Sequence, residues 1–312
     1  MVYSYYIMDL SQKVRHYYLE HFQELPFDKQ FHFATRLHSW NGDAECSELL
    51  QTLRPFVVKD EEELRKDLEQ LIHQPPTAKI NAAAAREQYF ERYPDLRGLM
   101  LALFRVRHLL SIYDIDARAT LLELYPIDKL RSLADAIRND DDALRVLSTY
   151  AINYLYLVDH ILYPEGGTPP PVERFYQLAD VYDTSEPEQV QLMIYFYTHC
   201  IIGESNFYER EITGEQHAVY TKMLVRLESL IVDNYNSINL DNKLEFLVCC
   251  RILGYETSLF DKVSAECEQS ISSEGMFLID THNAFAQSNK TSFSDSEHRN
   301  VLFIMSQIPY HS

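Results

Sequence analysis

Apolar residues recur every three or four positions along most of this chain, the spacing that gives a helix one buried face. The pattern predicts helices over 4–24, from Asp28 onward, and over 43–53 and 60–73. Ala82–Ala85 marks a further helix ending before Pro94, and 95–113, 116–125, 128–138 and 140–163 continue the series. Beyond Pro171 the helices expected are 172–182, 186–203, 214–235, 241–254, 259–272 and 294–308. No alternating run with hairpin chemistry interrupts them, so the fold class is all-α and multi-helical, with stacked helical hairpins.

Local signals place the helix ends. Glu61 with Arg65 and Glu62 with Lys66 are i,i+4 pairs on a solvated face. Phe27-Asp28, Ile115-Asp116, Ile127-Asp128 and Leu240-Asp241 each put an apolar residue before an Asp that is expected to cap the following helix. The clearest break is 164–171, where two glycines and a proline triplet stop the helix and stiffen the chain. It divides the sequence into an N-terminal helical half, 1–163, and a C-terminal half, 172–312, able to pack as one domain.

Composition narrows the picture. Among 312 residues, Lys and Arg number 28 and Asp and Glu 47, a net charge of -19. Such a chain gains little from counterion release on DNA or RNA, and no nucleic-acid partner is expected. Only 8 glycines are present, which fits neither a phosphate-cradling loop nor turn-rich β architecture. The opening MVYSYYIMDLSQK lacks the basic start and apolar stretch of a signal peptide, and no apolar run reaches the roughly 20 residues of a spanning helix. Cys46, Cys200, Cys249, Cys250 and Cys267 are odd in number, irregular in spacing and set among apolar residues, as reduced packing cysteines are. A cytoplasmic protein without a membrane partner is the expectation.

The stretch 241–280 reads DNKLEFLVCCRILGYETSLFDKVSAECEQSISSEGMFLID. Its order is a capped helix, a Leu253-Gly254 stop, a second helix, then Glu274-Gly275-Met276-Phe277. It resembles one helical hairpin of the α/α-toroid proteins, among them prenyltransferases, terpene cyclases and lanthipeptide cyclases. The resemblance covers about 40 residues and implies a toroid-like stacking of hairpins. The aspartate-rich motifs of the cyclases are missing, and the zinc ligands of those families have no counterparts here.

No Walker loop, GxGxxG, HExxH, CxxC or GxSxG occurs, and the 12 histidines show no metal-ligand spacing, so neither metal nor cofactor is expected. The best polar constellation is at the C-terminus. Glu297 and His298 precede Val301 by four and three residues, on the same helix face as the apolar stripe Val301, Ile304, Met305 and Ile308. With Asp280 and His282 approaching from the preceding loop, they would form an acid/base group at a helix N-terminus. Asn283, Arg299 and Asn300 would flank it, Arg299 taking an anionic substrate group. The same residues also read as structure: Ser294-x-x-Glu297 fits a capping box, with Phe293 and His298 at its staple positions.

Two further sets are weaker. On 140–163, Thr149, Asn153, Tyr156, His160 and Tyr163 make a polar-aromatic stripe, with Asp159 at its edge. It would line the cavity of a toroid or form the outer surface of a bundle. Gln191, Tyr195 and His199 follow at i, i+4, i+8, with Glu204 just past Gly203. A histidine in so apolar a helix reads most simply as a hydrogen-bonded core residue. Two functions follow: a helical-repeat or toroid-like protein binding a protein, peptide or small molecule, and a hydrolase or transferase using Asp280, His282, Glu297 and His298.

Overall fold

Helices follow the apolar periodicity in the computed structural model, which describes residues 2–73, 84–162, 171–279 and 292–311. In chain order they are α1 (Val2–Glu20), α2 (Phe27–Asn41), α3 (Ala44–Val57), α4 (Glu61–Ile72), α5 (Ala84–Arg92) and α6 (Leu96–Tyr113). Next come α7 (Arg118–Leu124), α8 (Ile127–Arg138), α9 (Asp141–Leu147), α10 (Thr149–Leu162) and α11 (Val172–Leu178). The series ends with α12 (Pro187–Glu204), α13 (Glu215–Asp233), α14 (Leu240–Ile252), α15 (Phe260–Gln269) and α16 (Glu297–Gln307). Among the described residues β pairing is limited to one isolated bridge between Ile271 and Leu278. No helix among them is long and apolar enough to cross a membrane.

Several expected ends move, each for a local reason. Asp43, Asp60 and Asp140 do cap helices, accepting from the amides of Cys46, Glu63 and Ala143 at 2.9–3.0 Å. Asp28 and Asp128 do not, because Pro26 and Pro126 occupy the cap in extended conformation and push each Asp into the first turn. There their charge is favoured by the helix dipole, and Asp128 also lies 3.9 Å from Arg131. At the start of α14 the capping side chain is Asn239, one turn before Asn242, and Asp241 lies inside the helix. The stretch 140–163 is broken at Ser148, whose φ of 44° ends α9 before α10 begins.

The chain divides into two compact units, one of Met1–Gln51, Thr184–Ile194 and Phe207–Ser312, the other of Thr52–Asp183 and Tyr195–Asn206. These boundaries differ from the division expected at 164–171: residues on both sides of that stretch belong to the second unit.

In the first unit α16 packs on α1, α2 and α14, and α14 also packs on α13 and α15. Val301, Leu302, Phe303, Ile304 and Met305 are all buried, so the middle of α16 is apolar all round and runs through the core. In the second unit α10 takes that part against α6, α8 and α9, with every residue from Ala151 to Asp159 buried. Gly98 lets α6 approach α4 so closely that a Cβ would strike the Ile72 carbonyl. Gly203, expected to stop its helix, lies within α12, where a Cβ would strike the Tyr156 ring of α10. A small residue is needed there for packing.

Candidate functional site

The C-terminal constellation assembles around a partner that lies far away in sequence. α16 starts at Glu297 rather than at 294, with Ser296 at the cap position but no capping bond from its side chain to the helix amides. The Glu297 carboxylate is therefore not held in a capping box; it is fully buried against α2. Its Oε1 is 2.7 Å from His32 Nδ1, and its Oε2 is 3.5 Å from Lys29 Nζ. Arg36 Nε donates to His32 Nε2 at 3.0 Å, which places the imidazole proton on Nδ1, facing Glu297. Arg36 also donates to the Tyr208 hydroxyl, and its guanidinium carbon is 4.8 Å from that ring's centroid. Lys29, His32 and Arg36 share one face of α2 because they stand at i, i+3 and i+7.

Burial holds the His32 imidazole below its ordinary pKa; Arg36 and Lys29 add to this, and Glu297 opposes it. Burial alone would raise the Glu297 carboxyl, but His32, Lys29 and Arg36 outweigh it and the net shift is downward. The result is a neutral imidazole bridging a carboxylate and a guanidinium. His298 stands beside this group, its ring 5.4 Å from that of His32. Phe293 does not staple against it but packs with Tyr17, Tyr18 and Phe277 at 5.4, 4.5 and 5.8 Å.

Of the other expected members, the two that are described, Arg299 and Asn300, are engaged elsewhere. Asp280, His282 and Asn283 lie outside the described residues. Arg299 is buried with its Nε 2.7 Å from Asp241 Oδ1, so its charge is matched inside the protein. Asn300 donates to the carbonyls of Leu278 and Ser296 at 2.9 and 2.8 Å and accepts from the Leu278 amide at 2.8 Å, pinning backbone.

In the second unit the residues singled out on α10 and α12 meet one another. His160 Nε2 is 2.7 Å from the Gly203 carbonyl, and His199 Nδ1 is 2.8 Å from Asn153 Oδ1. Both histidines are bonded to the neighbouring helix. Asn153 and Tyr156 are buried, so the stripe on α10 is not an outer surface. Asp159 accepts from Arg138 at 2.9 and 3.1 Å, while burial raises its pKa. Glu204 is the last residue of α12, half-buried.

A site the sequence reading did not single out lies at α13–α15 of the first unit. A cavity of about 650 Å³ is lined by residues that include Tyr235, Asn236, Lys243, Lys262, Glu266 and Gln269. Lys243 belongs to α14, whose residues from Leu244 to Cys250 are all buried, and its own side chain is only 3% exposed. Its Nζ lies 2.9 and 2.8 Å from the two Glu266 oxygens. The same Nζ is 3.9 Å from the Tyr235 ring centroid, and Lys262 Nζ is 3.5 Å from that centroid. Burial lowers the Lys243 pKa, Glu266 opposes this, and Lys262 adds to the lowering. The arrangement joins an amine to a carboxylate able to exchange its proton, with a second ammonium close by.

A signal for this site is present in the sequence but is weak. Lys243 is one turn from Leu240, Phe246 and Leu247, a lysine inside an apolar stripe. Lys262 and Glu266 stand at i, i+4 and look like an ordinary surface pair, but Glu266 turns to Lys243 instead.

No family model, curated protein or solved structure matches this chain. Its chemistry is therefore read from geometry alone. Among the described residues no group of three or more His, Cys, Asp or Glu is placed to hold a metal ion. All five cysteines are buried thiols.

Proposed function

We propose that this chain is a helical small-molecule binding protein, and that its ligand is a small organic anion held in the α13–α15 cavity. The observation that carries the reading is the pair of ammonium groups against one Tyr235 ring, with a single carboxylate, in a cavity of about 650 Å³. Cavities of several hundred Å³ with a few convergent polar groups are the usual form of ligand sites. In a chain of net charge -19 a locally cationic cavity also stands apart from its surroundings. Stacked helical hairpins, with α14 and α15 as one toroid-like pair, and a reducing cytoplasmic setting for the buried thiols belong to the same reading.

Titration calorimetry with pyruvate, lactate and citrate tests it. At least one should bind, and Lys262→Met should weaken that binding about tenfold, the worth of one charge-assisted hydrogen bond. Heats that are absent for all three anions, or unchanged by Lys262→Met, would remove the proposal.

An acid/base enzyme is the second reading, favoured by the Glu297 carboxylate 2.7 Å from His32 with His298 beside it. It requires Arg36 to leave His32 Nε2, since a general base needs a nitrogen open to substrate. A panel of activated esters and phosphate esters compares wild type with His32→Gln. Turnover lost in the variant supports this reading; equal rates dismiss it.

A further inference from the structure

We propose that Lys243 condenses with the carbonyl group of a short 2-oxo acid, with Glu266 moving the proton and Lys262 holding the carboxylate. The inference rests on the anion-binding reading and adds covalent chemistry to it. Three placements support it. The Lys243 side chain is shielded from bulk water and Lys243 is among the residues lining the cavity, where a small carbonyl compound would meet it with hydrolysis disfavoured. Glu266 is bonded to that amine through both oxygens, within reach to accept its proton. Lys262 and Lys243 are 3.5 and 3.9 Å from one ring centroid, hence no more than 7.4 Å apart. A molecule carrying its anionic group next to its carbonyl fits that separation.

A lysine is a nucleophile only when neutral, and two features favour the neutral amine: burial, and a neighbouring cation. Both act on Lys243, and Glu266 acts against them. The other groups facing it are Tyr235, Lys262 and Cys267, the last as a buried thiol. Lys262 is exposed and keeps the role of anion receptor.

The step balances without any further reagent. Glu266 takes a proton from the Lys243 ammonium, the freed lone pair forms the C–N bond, and the carbonyl π pair moves to oxygen, which is protonated. Glu266, having returned its first proton to that oxygen, takes a second from the carbinolamine nitrogen and delivers it to the hydroxyl, which the nitrogen lone pair expels as water, leaving an iminium that carries one positive charge. One carbonyl compound and one ammonium give one iminium and one water, with no oxidation.

The full chain is incubated with pyruvate and sodium cyanoborohydride, digested and mapped by mass spectrometry. A reduced adduct concentrated on Lys243 is expected, absent from Lys243→Arg and formed about tenfold less in Lys262→Met at low pyruvate. Glu266→Gln should slow adduct formation and change its pH profile, an effect that loss of packing alone would not give. Lactate, which has no carbonyl, should bind as pyruvate does and yield no adduct. If both anions bind but Lys243 stays unmodified, the condensation is refuted and anion binding stands. If neither binds and label scatters over surface lysines, both fail.

Discussion

Two buried charge groups in the first unit look alike until their surroundings are compared. Glu297 is fully buried and meets Lys29, His32 and Arg36 from one face of α2, and both nitrogens of the bridging imidazole are engaged. Lys243 is nearly as buried and meets a carboxylate just as closely, but one side of it is a cavity of about 650 Å³. The cost of burying charge is met in each case by a partner at hydrogen-bond distance. The first network is closed and ties α2 to the start of α16. The second is open, with room for a further molecule beside the amine. Burial and a displaced pKa mark both; what separates them is that Lys243 borders a cavity, while both nitrogens of the His32 imidazole are engaged by protein groups.

The largest expected effect is at the closed network. Glu297→Ala removes the acceptor of the His32 N–H and leaves three basic side chains facing an empty place. Breaking a buried pair by deleting one partner costs about 3–5 kcal/mol, read as a fall in the urea midpoint at unchanged slope. Glu297→Gln keeps an acceptor and should lose less. A loss under about 1 kcal/mol for Glu297→Ala would place it with exposed pairs and erase the contrast with Lys243.

These two sites also show how far the sequence could be read. The all-α class was legible because the apolar periodicity holds over nearly every helix even where the end signals misplace its limits, and the inward aim of Glu297 followed from its spacing to Val301. Its partner was not legible, since His32 lies 265 residues away and only tertiary packing brings α2 to α16. The break at Ser148 was missed because it uses a left-handed serine, without Gly or Pro. The Asp caps at 28 and 128 failed where a preceding proline took the position. For the cavity, Lys262 and Glu266 offered a plausible local pairing, and local spacing cannot tell when a carboxylate prefers a buried amine on another helix.

The next effect in size is on pH dependence. The folded-state pKa of His32 is lowered, so near and below the ordinary value of about 6.5 the unfolded chain binds more protons than the folded one. Its contribution to stability is thus present above that value and is lost as pH falls toward the folded pKa. Glu297 is also lowered; its contribution is present above about 4.5 and lost on further acidification through its folded pKa. Both signs agree: acid loosens the closed network, His32 first. Urea melts from pH 7.5 to 5 should show stability falling in wild type and a flatter profile in His32→Gln. Parallel profiles would mean that His32 does not titrate differently in the folded chain.

The smallest expected effect is the sharpest test of the comparison, because it predicts near silence in one assay and loss in another. Lys243→Met removes a buried ammonium and fills much of its volume with an apolar chain. Glu266 is left behind, but its side chain is 20% exposed and borders the cavity, so water can replace the lost donor. Replacing a buried charge by an apolar side chain of similar volume is often near neutral, and a change within about 1 kcal/mol is expected. Binding of pyruvate and lactate should weaken, and the cyanoborohydride-trapped adduct should vanish. Should Lys243→Met unfold the chain as far as Glu297→Ala does, the open site is no more than a second closed one, and its amine serves the fold rather than a ligand.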